Sequence, residues 1–270
     1  MTTEPTITIA VLLPSSCNVN GDAENGAVLA RRARARGLAV ELVPVESVAE
    51  LPSTVHAVVL GSCDDPSAPQ VLETLRPFRD AFIAWVEAGV PVLAVANGWK
   101  LLTRRLELVP GSWVEGLAII EGDAPLRRTR ASDDLVVVPS GGLELDAPVL
   151  VGYENHGRDF RAGTGVESIG TVQHGRGNGD GTEGALVGPF VGTHLHGPVL
   201  AKNPELADRL LRLAITVAGG TSMLDESPKL HALDEDGGGP GDGGADGFDL
   251  EVGIRRIARR AEMKGAGKLA

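Results

Sequence analysis

The chain has 270 residues, 43% of them hydrophobic, and a formal net charge of −11. That length and apolar content suffice for a sizeable core. The acidic balance argues against nucleic acid or an anionic membrane as a ligand, because both call for a positive field. Cys17 and Cys63 are the only cysteines, too few for a four-cysteine zinc site or a disulfide scaffold.

The amino terminus, Met1 to Pro5, has no basic segment ahead of an apolar one, and no apolar run approaches the roughly 20 residues that span a bilayer. A cytoplasmic protein is the expectation. Residues 7–13 form a β-branched run that stops at Pro14, which predicts a buried strand. A helix is expected over 24–36, with Val28, Leu29 and Ala33 apolar and Gly37 placed to stop it. Arg31, Arg32, Arg34 and Arg36 read as its solvated face. Strands follow at 40–45 and 55–60, then a helix over 67–88 with Leu72, Leu75, Phe78, Phe82 and Val86 at helical spacing. Gly89 ends it, and a strand runs from Val90 to Val95. This β/α alternation with short connections predicts a mostly parallel sheet flanked by helices. In such sheets ligands sit beyond the carboxyl ends of the strands, here the loops at 14–22, 61–65 and 96–100.

From about residue 109 to 200 the pattern shortens, with strands expected at 117–121, 134–138, 149–153, 168–173, 184–188 and 190–195. These read as a mixed or antiparallel extension. A closing helix is expected over 204–217. Residues 1–220 thus form one α/β domain. The Asp/Gly-rich stretch 221–248 reads as a flexible linker, and 249–270 as a short basic amphipathic helix with Leu250, Ile254, Ile257 and Ala261 on one face.

The turn at 96–98 joins a buried strand directly to a helical pattern. That is the geometry of a nucleophile elbow, but its tip is Ala96, which carries no nucleophile. Around it lie Asn18 to Asp22 with Asn25, Leu60 to Asp65, Gly152 to Gly157, Gly177 to Gly184, Gly192 to Pro198 and Lys202 to Asp208. These segments, in this order, resemble the GatD-type glutamine amidotransferase subunits of lipid II isoglutaminyl synthase, within the cobyric-acid-synthase-like class I amidotransferases. The resemblance covers about residues 7–219. It implies a flavodoxin-like α/β fold and a Cys–His glutaminase site, with backbone amides at the elbow and at Gly61 and Ser62 holding the oxyanion.

The family's histidine matches His196, and its glutamine-contacting arginine matches Arg130, with Arg127 and Arg128 as neighbouring alternatives. Its elbow, Cys-Gly-Gly-Tyr-Gln, here reads Ala96, Asn97, Gly98, Trp99 and Lys100. Asn97 and Lys100 are thereby substrate-side positions, and Ala96 is the place of the lost nucleophile. The expectation is a glutaminase-deficient subunit that pairs with a MurT-like Mur ligase, with ATP and Mg confined to that partner and no cofactor in this chain. One alternative is an unconventional amidohydrolase using His196 with Cys63 or a water. Another is a small-molecule binding protein that retains a glutamine-like pocket. Both cysteines also suit plain core packing. His194 and His196, two apart on one strand, with His156 in a turn, admit a metal reading as an alternative. No GxxxxGK[ST] loop is present, and the glycines of 175–181 read as a hairpin-type loop.

Overall fold

Buried apolar runs alternate with amphipathic segments over the first hundred residues, and together they build a parallel sheet. The computed structural model describes residues 5–220. The linker at 221–248 and the basic helix at 249–270 lie outside the described residues. Strands β1 (Ile7–Leu12), β2 (Val40–Val45), β3 (Ala57–Leu60) and β4 (Val92–Val95) are connected by α1 (Asn25–Ala35), α2 (Ala68–Leu75) and α3 (Arg79–Glu87). β1, β3 and β4 are buried at every residue, as a sheet covered on both faces requires. The edge strand β2 is mostly half-buried and carries Pro44, which removes a ladder donor and discourages further pairing.

The single helix expected over 67–88 is two helices. Pro77 has no amide to continue the ladder, and Arg76–Phe78 forms a 3-10 turn between α2 and α3. Leu72, Leu75, Phe78 and Phe82 still face the core. The arginines of α1 are not all solvated. Arg32 and Arg36 are partly buried, and each places Nη2 2.8 Å from Asp208.

The change of architecture also comes earlier than the composition suggests. After β4 the helix is a single turn, α4 (Asn97–Lys100), and the chain then enters β5 (Thr103–Val109), β6 (Ser112–Glu115), β7 (Ile120–Ala124) and the long β8 (Leu126–Pro139). β9 (Leu150–Arg158), β10 (Arg161–Ala162), β11 (Gly170–His174), β12 (Thr182–Glu183), β13 (Ala185–Val187) and β14 (Phe190–Thr193) follow. The chain continues through α5 (Val199–Lys202) and α6 (Pro204–Val217). Two four-stranded sheets result, ordered β10-β7-β5-β6 and β12-β11-β8-β9, while β13 and β14 rejoin the first sheet.

That first sheet has the order β13-β14-β4-β3-β1-β2. β14 runs parallel to β4, with Thr193 level with Val95, and β3 is parallel to β4, with Leu60 level with Ala94. The loops after β1, β3, β4 and β14 therefore leave one edge of the sheet side by side. They carry Asp22, Gly61 to Asp65, Ala96 and His194 to His196. Residues as far apart in sequence as 22 and 196 thus share one crevice.

Candidate active site

The turn after β4 keeps an elbow's shape without a nucleophile. Ala96 has φ 42° and ψ −116°, a conformation that L-residues rarely adopt. It is held there by its N–H, which donates to the Thr193 carbonyl at 2.8 Å, and by its own carbonyl, which accepts from the Lys100 N–H at 3.2 Å. Such backbone strain costs on the order of 1–3 kcal/mol and persists only where the surroundings over-determine it. Gly98 is part of that determination, because a Cβ there would collide with the Gly61 carbonyl oxygen.

His196 stands on the neighbouring loop. Its Nδ1 lies 2.8 and 3.0 Å from the two carboxylate oxygens of Asp22. Its Nε2, the nitrogen a general base would use, is buried and has no hydrogen-bond partner. Burial pushes the Asp22 carboxyl up, against the opposing pull of His196 and of the Ser62 and Gly197 amides. The pair is an oriented imidazole with an acidic partner, the arrangement that fixes a tautomer for base catalysis.

The elbow amide expected to hold an oxyanion is already engaged. The Asn97 N–H donates to Ser62 Oγ at 3.3 Å, and that hydroxyl donates to the Cys63 carbonyl at 3.2 Å. The Asn97 side chain then runs outward. Its Nδ2 donates to the Cys63 carbonyl at 3.0 Å and to Asp65 Oδ1 at 2.9 Å. Arg130 and Arg158 both bind the Asp65 carboxylate, Arg130 Nη1 at 2.6 Å from Oδ2. Burial works against the charge on Asp65, but the Asn97 hydrogen bond and the two guanidinium groups together outweigh it and hold the carboxyl below its usual range.

Lys100 is not brought to the pocket. Its side chain is buried beneath the elbow, with Nζ 3.4 Å from the centre of the Trp99 ring, 4.9 Å from that of Phe160, and without a hydrogen-bond partner. Burial drives its pKa well below the ordinary 10.5, against the pull of the Glu183 and Asp159 carboxylates. Cys63 and Cys17 are buried free thiols in the hydrophobic core, and the Cys17 thiol is raised by its hydrogen bond to Cys63 and by burial. For Cys17 that environment matches the packing role rather than an activated nucleophile, which a lowered pKa would mark, and Cys63 is buried in the same cluster.

Each of the three histidines has a carboxylate of its own as partner. His194 Nδ1 lies 2.7 Å from Glu183 Oε2, His196 faces Asp22, and His156 stacks on His194 with ring centres 3.9 Å apart. Among the described residues no group of three or more His, Cys, Asp or Glu side chains could hold a metal ion. Burial raises Glu183 to about 7, and burial likewise lowers His194. The glycine loop closes on a carboxylate of the chain itself, since the amides of Arg176 and Gly177 donate to Glu154 at 2.7 and 3.0 Å.

Asp22, Asp65 and Arg158 are site residues that sequence reasoning passed over. Asp22 and Asp65 end the motifs Asn18–Asp22 and Leu60–Asp65. A carboxylate in the loop that follows a buried parallel strand was the available signal.

A central strand that ends in an elbow, with a His–Asp pair on adjacent loops, places the chain among class I glutamine amidotransferase-like folds. A solved glutamine amidotransferase superposes over 78% of this chain and 98% of its own, with a TM-score of 0.51 and 20% identity. Residues 8–204 match the CobB/CobQ-like glutamine amidotransferase domain, and the chain belongs to that family. It is 28% identical, over 77% of its length and 84% of the relative's, to the GatD subunit of the glutamine-hydrolyzing lipid II isoglutaminyl synthase of Staphylococcus aureus. The corresponding subunit of Streptococcus pneumoniae is also 28% identical, over 54% of this chain and 55% of its own. A cobyric acid synthase of Carboxydothermus hydrogenoformans is 27% identical, over 64% of this chain and 35% of that enzyme. Among the described residues no helix is long and apolar enough to cross a membrane.

Proposed function

We propose that this chain is a GatD-like subunit of lipid II amidation that has lost the glutamine-hydrolysing step. The assignment to lipid II follows the similarity to the two GatD subunits. The loss is carried by one observation: an elbow strained as if to present a side chain, beside an oriented His196–Asp22 pair, presents the methyl group of Ala96. Removing the nucleophile of a covalent mechanism costs about 10⁴ to 10⁶ in rate. Internal engagement of the Asn97 amide removes a transition-state donor as well, worth about 10² to 10³.

On this reading the chain serves as a protein subunit, docked on a MurT-like Mur ligase that binds ATP and Mg and activates the acceptor carboxylate. Ammonia then reaches the ligase from solution or from another amidotransferase. The test is a glutaminase assay on the full chain, alone and in complex with a Mur-ligase-like partner. We expect no glutamate release above background, together with amidation by the complex when ammonium is supplied. Appreciable turnover of glutamine overturns the reading. If Cys63→Ser abolished that turnover, Cys63 with His196 would be the working pair.

A further inference from the structure

Between the elbow and Arg130 lies an unbroken polar relay. Asn97, next to Ala96, donates from Nδ2 to Asp65 Oδ1 at 2.9 Å, and Asp65 Oδ2 accepts from Arg130 Nη1 at 2.6 Å. Arg158 closes the group from the other side: its Nη1 binds Asp65 and reaches Asn97 Oδ1 at 3.1 Å, while its Nε donates to the Glu107 carbonyl at 2.9 Å. Arg130 is itself steadied by Asn155, to whose Oδ1 and carbonyl it donates at 2.6 and 3.1 Å. A glutamine poised for attack at position 96 needs its carboxamide at the elbow and its α-carboxylate on a cation. The chain already sets a carboxamide at the elbow and a carboxylate on two guanidinium groups.

We propose that Asn97 and Asp65 stand in for glutamine, carboxamide for carboxamide and carboxylate for carboxylate, so that the pocket is closed to the free amino acid by the protein's own side chains. This rests on the reading of Arg130 as the carboxylate-holding arginine of an ancestral glutamine site. Two physical facts favour internal occupancy. The Arg158 side chain is 1% exposed, and a guanidinium so buried needs a carboxylate at all times. A carboxylate tethered to the adjacent loop also meets it at an effective concentration that dissolved glutamine does not match. The occupancy further explains why the elbow amide is free to bond Ser62, since no substrate oxygen competes for it.

The full-length chain is titrated with L-glutamine by calorimetry, as wild type and as the Asp65→Ala/Asn97→Gly double variant. Thermal melts of Asp65→Ala are followed in L-glutamine, in acetate and in chloride. The wild type should show no uptake at millimolar L-glutamine, and the double variant should bind at least about tenfold more tightly. Asp65→Ala alone should melt lower than wild type and recover in acetate or L-glutamine but not in chloride, because either carboxylate restores the partner of Arg158. Wild type that binds L-glutamine as well as the double variant, or a single variant that no carboxylate rescues, overturns the proposal. Should the double variant not fold, the wild-type titration and the single-variant rescue decide it. Binding by the wild type without hydrolysis would end the occupancy model and leave the loss of glutaminase standing. Hydrolysis by the wild type would end both.

Discussion

Ala96 holds a backbone conformation that is useful when it aims a nucleophile and only costly otherwise. Ala96→Gly should therefore stabilise the fold by about 1 kcal/mol, because glycine removes the steric penalty at φ 42° while losing some chain entropy. Denaturant unfolding of the two proteins measures the difference directly. Ala96→Cys should leave the glutaminase rate at background, since Asn97 and Asp65 still fill the place a substrate would take. Full recovery by that single change would refute the occupancy. Lys100 offers a second residue-scale test. Its folded pKa lies below the ordinary 10.5, so between those values the unfolded chain binds more protons than the folded one, and stability falls as pH falls from 10.5. Lys100→Met removes that slope. The gain, roughly 1–4 kcal/mol by analogy with other buried charges replaced by apolar groups, should be smallest in alkali and larger near neutrality, as melts across pH would report.

At the scale of elements, the one-turn helix α4 is pressed onto the loop after β3, with Gly98 against the Gly61 carbonyl and Trp99 donating from Nε1 to the Thr193 carbonyl at 3.1 Å. Gly98→Ala should cost about 1–3 kcal/mol, read as a lower melting temperature, because backbone rather than a flexible side chain must move. The parallel core was legible in advance, since β1, β3 and β4 are uninterrupted buried runs and α6 begins at Pro204 as its sequence indicates. β5 was not, because Arg104, Arg105, Leu106, Glu107 and Leu108 all favour helices and only pairing with β6 and β7 makes them a strand. The strand-turn-helix shape of the elbow could likewise be read locally, whereas His196 was named only through the family resemblance. The direction of Lys100 could not be read locally, because a lysine beside an elbow points to solvent or to core according to neighbours such as Phe160 that lie 60 residues away. Asp22 was hidden for the same reason, since its partner is 174 residues distant.

Over the whole molecule, the first and last segments of the described chain are stitched together. Arg32 and Arg36 clamp Asp208, the Leu200 N–H donates to Asn25 Oδ1 at 2.9 Å, and the His196–Asp22 pair adds a third tie. Asp208→Ala leaves two partly buried guanidinium groups without their carboxylate and should cost roughly 1–3 kcal/mol, with α1 and α6 losing amide protection together in hydrogen exchange. That stitching has a kinetic consequence. Contacts between residues near 22–36 and 196–208 close a loop of most of the domain, and loops that long are among the last to form. The imidazole and its carboxylate therefore meet only after the sheet between them is assembled. During refolding the crevice should be the final region to mature, well after the bulk of secondary structure is in place. A binding partner that reads this edge of the sheet would in effect be checking that the rest of the protein is finished.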